Sequence, residues 1–312
     1  MTDTQNEVFK TPVNKIRLFE HGAPGSQNLK LTRKYYTEDM PDGRVKHIVQ
    51  NITDPDIVPY IPDGIGNSTD RQRIPAVLII PGGAFRRLVY NFEGEDVAKW
   101  LNSMGIAAFV LECRLPSDEH DNAEDVPLID AMRAMRVIRG RAQEFGIDEA
   151  KIGVMGFSAG GFMAALLSTA YESDVYADYK YKDEYDKLSA RPDFAVCSYP
   201  VISIDDCIEA GKRYMSEEQV LERISDSKAK ILHKYNPDKL VRPDMPPVFI
   251  CETDDDRTTL SENSVGFYMA ARKAGVSAEL HIFRTGGHGY GCGDDFAQTG
   301  EWKVLFTKWI KS

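Results

Sequence analysis

Positive charge is short in this chain: 38 Lys and Arg stand against 48 Asp and Glu, a formal charge of −10 over 312 residues. Holding a polyanion takes clustered cations, so the balance argues against nucleic acid as a partner. Cysteine is sparse as well. The five, Cys113, Cys197, Cys207, Cys251 and Cys292, are odd in number and scattered, with neither a CxxC pair nor metal-ligand spacing. That pattern speaks against a disulfide scaffold and against a thiolate metal centre, and reduced thiols that mostly fill the core are expected. No stretch is apolar enough to span a bilayer, and the start, MTDTQNEVFK, lacks the basic and apolar segments of a secretory signal. A cytoplasmic protein without membrane contact is therefore expected. Internal repeats and long low-complexity linkers are missing too.

What is present is apolar sequence in short pieces. At 42% hydrophobic the chain can bury one large core, and a single domain over residues 1–312 is expected. Apolar runs at residues 75–81, 106–113, 151–157, 194–201, 246–253 and 278–283 are rich in Val and Ile and bounded by Pro, Gly or charge. Such runs suit strands buried on both faces of a parallel sheet. Between them, residues 127–146 place Leu128, Met132, Met135, Ile138, Ala142 and Phe145 on one helical face, opening with Pro127 and ending at Gly146. Residues 261–275 read as another helix, with Ser261 as cap and Gly275 as stop. Strands alternating with helices predict an α/β fold, a mostly parallel twisted sheet with helices on both faces. Residues 1–74 read as a polar N-terminal edge element, with 44–52 as an outer strand. Residues 171–244 read as a polar insertion beside the pocket, too charged to be a lid that docks on fat.

One turn stands out. Gly156-Phe157-Ser158-Ala159-Gly160 fits the G-x-S-x-G nucleophile elbow, and it follows a predicted buried strand and precedes a predicted helix. The rival reading is a tight turn whose serine merely caps the helix. A serine hydroxyl needs a general base held by a third group. Of six histidines, His288 lies in a glycine-rich loop after the last core strand, from which an imidazole can reach across the carboxyl ends of the sheet. The acid belongs after the penultimate strand, where Glu252, Asp254, Asp255 and Asp256 cluster, and spacing does not choose among the adjacent aspartates. Donors for a tetrahedral oxyanion would come from the N–H of Ala159 and from Gly83 and Ala84 in the PGGAF loop.

These stretches, in this order from about residue 75 to 291, resemble the α/β-hydrolase superfamily. More narrowly they are similar to its bacterial acetyl-xylan-esterase-like and feruloyl-esterase-like carboxylesterases. The family's acid motif is D-x-x-V-P-x-E-N-S; aligning Glu262-Asn263-Ser264 puts the catalytic aspartate at Asp256, with Asp255 as runner-up. This chain has Thr259 and Leu260 where the motif has valine and proline. It also has Ala84 where a third oxyanion glycine is common. The resemblance implies a serine esterase with no metal or organic cofactor, acting on short-chain acyl, foremost acetyl, esters of small molecules or oligosaccharides. Phe85, Tyr90 and Tyr290 would flank the acyl or sugar site, and Arg86 or Arg87 would meet a charged substrate. A serine peptidase of the same fold and a non-catalytic binding protein on a hydrolase scaffold are the rival readings.

Overall fold

Strands whose side chains are apolar on both faces have no side to give to water, and all six apolar runs enter one sheet. The computed structural model describes residues 9, 13–65, 73–213, 215–224, 227–293 and 298–311. In chain order its strands are β1 (Ile16–Arg17), β2 (Lys34–Asp39), β3 (Val45–Gln50), β4 (Asp56–Tyr60), β5 (Ile74–Ile80), β6 (Leu88–Val89), β7 (Ala107–Glu112), β8 (Ile147–Phe157), β9 (Ala195–Ser198), β10 (Val248–Thr253) and β11 (Ala278–Phe283). The helices are α1 (Asp96–Ser103), α2 (Val126–Gly140), α3 (Ala142–Phe145), α4 (Ala159–Ala170), α5 (Ile204–Lys212), α6 (Glu217–Ile224), α7 (Ser227–Lys234), α8 (Ser261–Lys273) and α9 (Glu301–Trp309). Among the described residues an eight-stranded sheet runs β1-β4-β7-β5-β8-β9-β10-β11, parallel from β7 to β11 and antiparallel at β1 and β4.

The chain steps from β5 back to β7 and then forward through β8 to β11. Right-handed crossovers in opposite directions land on opposite faces. So α1 lies on one face with α9, where Trp100 meets Trp302 edge-on at 4.9 Å, while α2 and α4 pack together on the other. The face read for residues 127–146 is buried throughout, but the helix breaks at Arg141 and resumes as α3, with Gly146 left-handed at its end. In α8 the residue before the helix is Leu260, so Ser261 is its first residue and not its cap. Cys113, Cys197 and Cys251 are free thiols, and they and Cys292 are buried; the Cys207 side chain lies outside the described residues.

The N-terminal segment supplies the edge of the main sheet, but through other residues than 44–52. Residues 44–52 do give a strand, β3, but β3 pairs with β2 and β6 in a separate three-stranded antiparallel sheet. The main sheet's edge is taken by β4, which pairs with β7, and by β1. A proline within a strand lacks the N–H that a ladder uses, and Pro59 lies inside β4. It is tolerated because β1 pairs only with Asp56 and Ile57, leaving Pro59 beyond the ladder on that side. In the polar insertion, Arg133 of α2 holds Asp183 and Asp186 at 2.7 and 3.0 Å, and Lys234 reaches Asp125 at 2.7 Å.

Candidate active site

A strand that turns directly into a helix brings two backbones within contact, and the elbow shows why glycines flank its serine. A Cβ on Gly156 would lie 1.9 Å from the Gly160 carbonyl oxygen, and one on Gly160 1.9 Å from that of Ile80. We expect Gly160→Ala to lower the unfolding free energy by at least about 3 kcal/mol in a denaturant titration, because carbonyl backbone cannot step aside. Between them Ser158 sits at φ 54°, ψ −118°, a strained conformation that single residues keep only where surroundings impose it. Its hydroxyl makes no capping bond to α4. Instead Ser158 Oγ lies 2.9 Å from His288 Nε2. The capping alternative thus finds no support in the geometry.

His288 hangs from a loop after β11 that is tied at several points. Gly287 donates its N–H to Asp255 Oδ1 at 2.8 Å and accepts from Thr253 Oγ1 at 2.9 Å, and Gly291 donates to Tyr199 Oη at 3.0 Å. The loop backs so closely on its neighbours that a Cβ on Gly286 would fall 2.9 Å from Thr253 Cγ2 at the end of β10 and 2.3 Å from Thr299 Cγ2 ahead of α9. His288 Nδ1 stands 2.6 Å from Asp256 Oδ2. Of the three consecutive aspartates, Asp254 and Asp255 are exposed and Asp256 is buried. Burial by itself would raise the Asp256 carboxyl, but the His288 bond and the N–H groups of Thr259 and Thr258 outweigh it and hold the group below its ordinary value. An ionised carboxylate only accepts, so the ring proton belongs on Nδ1 and the Nε2 lone pair faces the serine hydroxyl. Asp255, the runner-up, reaches the main chain of the histidine loop and not the ring.

Several participants carried no sequence signal of their role. A π-helical turn, Asn91–Glu95, follows β6 and directs Glu93 inward. Its two carboxylate oxygens accept from Gly82 N–H at 2.8 Å and from Tyr199 Oη at 2.9 Å. Burial pushes the Glu93 carboxyl up, opposed by nearby His288, the Tyr199 hydroxyl and the Gly82 N–H. Glu93 and Tyr199 together therefore brace the PGGAF loop against the histidine loop. Tyr199→Phe strips Glu93 of one donor and Gly291 N–H of its acceptor. A stability loss of about 2 kcal/mol is expected in urea unfolding, larger than a buried hydroxyl in a satisfied pocket would cost by itself. Glu252, fully buried beside Asp256, is raised well above the ordinary range by burial and then by the Asp256 charge. The E-N-S motif gains a physical meaning here: Asn263 Oδ1 takes the N–H groups of Ile202 and Ser203 at 2.8 and 3.1 Å, and Ser264 Oγ donates to Glu252 at 3.2 Å.

The oxyanion loop holds two non-glycine residues at positive φ, Ala84 at 57° and Phe85 at 60°, after Gly83 at 136°. Among the described residues the amides of Gly83, Ala84 and Ala159 donate to no protein acceptor. Phe85 is buried edge-on to Phe162 at 5.5 Å, beside a cavity of about 20 Å³ lined also by Gly82, Ala159, Gly160 and Met163. Arg86 is exposed on the same turn, and Arg87 is paired with Glu38 at 2.5 Å. Two of the expected substrate contacts are enclosed. Tyr90 is fully buried with its hydroxyl 3.1 Å from that of Tyr60, and Tyr290 is buried against Tyr199 with ring centroids 4.5 Å apart.

Sheet order, crossovers and elbow define the class: an α/β-hydrolase fold. The BD-FAE family matches residues 65–270, and the chain belongs to that family. An acetylxylan esterase of Xylanibacter ruminicola is 30% identical over 239 residues, 76% of this chain and 45% of the relative. The chain spans less than half the length of the curated relatives it matches. Among solved structures, an acetyl ester-xyloside bifunctional hydrolase from Caldicellulosiruptor lactoaceticus is 35% identical with TM-score 0.70, covering 95% of both chains. A carboxylesterase from Lactobacillus plantarum, at 20% identity and TM-score 0.67 over 90% of this chain and 97% of its own, shares the fold. Among the described residues no helix is long and apolar enough to cross a membrane.

Proposed function

We propose that the chain is a serine carboxylesterase that removes short acyl groups, foremost acetyl, from sugars or oligosaccharides through a Ser158–His288–Asp256 triad. The single observation that carries this reading is the unbroken run from Ser158 Oγ to His288 Nε2 at 2.9 Å and from Nδ1 to Asp256 Oδ2 at 2.6 Å, with the serine hydroxyl free of any capping bond. Ser158 attacks the ester carbonyl as His288 takes its proton at Nε2; Asp256 keeps the ring in the required tautomer and steadies the imidazolium. The amides of Gly83, Ala84 and Ala159 receive the oxyanion, each donor worth about 3 to 4 kcal/mol. His288 then protonates the leaving alcohol, the acyl group stays on Ser158, and a water activated by His288 releases it.

A short acyl group is supported by the names of the acetylxylan esterase and acetyl ester-xyloside hydrolase relatives. The names of the Xylanibacter and Caldicellulosiruptor relatives support acetylated xylan fragments as the alcohol side. The test is a hydrolysis panel of p-nitrophenyl acetate, butyrate and octanoate together with acetylated xylo-oligosaccharides and matched amides. Turnover should be highest on acetate, fall with chain length, and release acetate from the oligosaccharides. Preference for octanoate or for the amides would overturn the reading.

A further inference from the structure

The triad residues come from separate loops, and one hydroxyl touches the last two of them together with a third segment. Thr259 Oγ1, buried at 1% exposure, lies 3.0 Å from Asp256 Oδ2, 3.2 Å from His288 Nδ1 and 3.2 Å from the carbonyl oxygen of Tyr199. It stands at one of the two adjacent positions, Thr259 and Leu260, where the chain departs from the acid motif. A hydroxyl has one proton and two lone pairs, so it serves one of the two oxygens at a time. The Nδ1–H, committed to Asp256 Oδ2, passes within reach of whichever lone pair the hydroxyl turns toward it.

We propose that Thr259 is a positioning residue of the triad, acting through Asp256 and His288. In the resting state its hydroxyl donates to Asp256 Oδ2 and, with the two N–H groups on Oδ1 at 2.7 and 3.0 Å, fixes the carboxylate plane toward the imidazole. When the imidazolium forms, the hydroxyl turns its proton to the Tyr199 carbonyl and offers a lone pair to the more strongly polarised Nδ1–H. No covalent bond is made or broken; the rotation follows the charge as it appears on the ring. Other charged or titratable groups around this point are Glu93, Tyr199 with its ring centroid 5.0 Å from that of His288, Asp255 at Gly287, and Glu252 beside Asp256. None of them places a neutral hydroxyl against both partners of the Nδ1 bond.

This inference rests on the triad reading above, and the experiment separates the two. Steady-state hydrolysis of p-nitrophenyl acetate is compared for wild type, Thr259→Val, Thr259→Ala, Thr259→Ser and Ser158→Ala, with circular dichroism confirming fold. Thr259→Val and Thr259→Ala should lower kcat about tenfold with KM held within about twofold, while Thr259→Ser stays within about threefold of wild type. In proton NMR, the downfield resonance of the Nδ1–H should move in the valine and alanine variants and hold in the serine variant. Wild-type kcat without the hydroxyl, or a serine variant as impaired as the valine one, overturns the inference; should valine not fold, alanine against serine decides. Undiminished turnover in Ser158→Ala would instead remove the triad reading itself.

Discussion

Ser158→Ala lowers kcat on p-nitrophenyl acetate by on the order of 10⁶, the loss expected when a triad nucleophile is removed whole. The residue is placed by backbone strain and not by its own side chain, so alanine can occupy the elbow without disturbing it: φ 54° is imposed by the contacts at Gly156 and Gly160. Binding and the oxyanion amides remain, which leaves a residual acceleration of about 10³ to 10⁴ over water. Rates equal to wild type in a purified, folded variant would show that ester cleavage happens elsewhere.

The second large effect is at the acid. Asp256→Asn should cost on the order of 10⁴ in turnover with the fold retained. The reason is visible in the acceptor geometry. Oδ1 already receives Thr258 N–H at 2.7 Å and Thr259 N–H at 3.0 Å, so the asparagine oxygen must take that place. Its NH₂ then faces His288 Nδ1, makes that nitrogen the acceptor, and drives the proton to Nε2, where it points at Ser158 in the wrong tautomer. Asp255→Asn touches only the Gly287 N–H bond and should lose less than about tenfold. If Asp255→Asn carried the 10⁴ loss, the assignment within the cluster would be wrong. The depressed Asp256 carboxyl also sets a sign for stability. Its contribution is full above the ordinary carboxyl pKa of about 3.9 and fades as pH falls through the lower folded value. The stability gap between wild type and Asp256→Asn should therefore narrow in acid unfolding.

Much of the frame was legible because local chemistry wrote it. Both-face burial of β5, β7, β8, β9 and β10 appears as unbroken apolar runs, and β11 begins and ends where its run does. The ends that slipped have local causes. β9 stops at Ser198 because Tyr199 turns to φ 36°, and β10 begins after Pro246 and Pro247, which have no N–H for a ladder. The N-terminal sheet was not legible, since the alternation of residues 44–52 says which face is buried but not which strand lies beside it. Glu93 and Tyr199 were silent for a related reason: an acidic residue in FEGED and a tyrosine in SYPV look like surface residues until a π-turn and a positive φ turn them inward.

By itself the chain determined the strand-elbow-helix turn, the order serine, acid, histidine, and the small residues without which the backbones would collide, because each depends on neighbours along the sequence. Only the tertiary structure decided which aspartate meets the imidazole, that Tyr90 and Tyr290 are enclosed, and that Glu93, Tyr199 and Thr259 join the three loops. Those choices turn on separations of about 3 Å between segments tens of residues apart, and sequence order carries no record of where such segments come to rest.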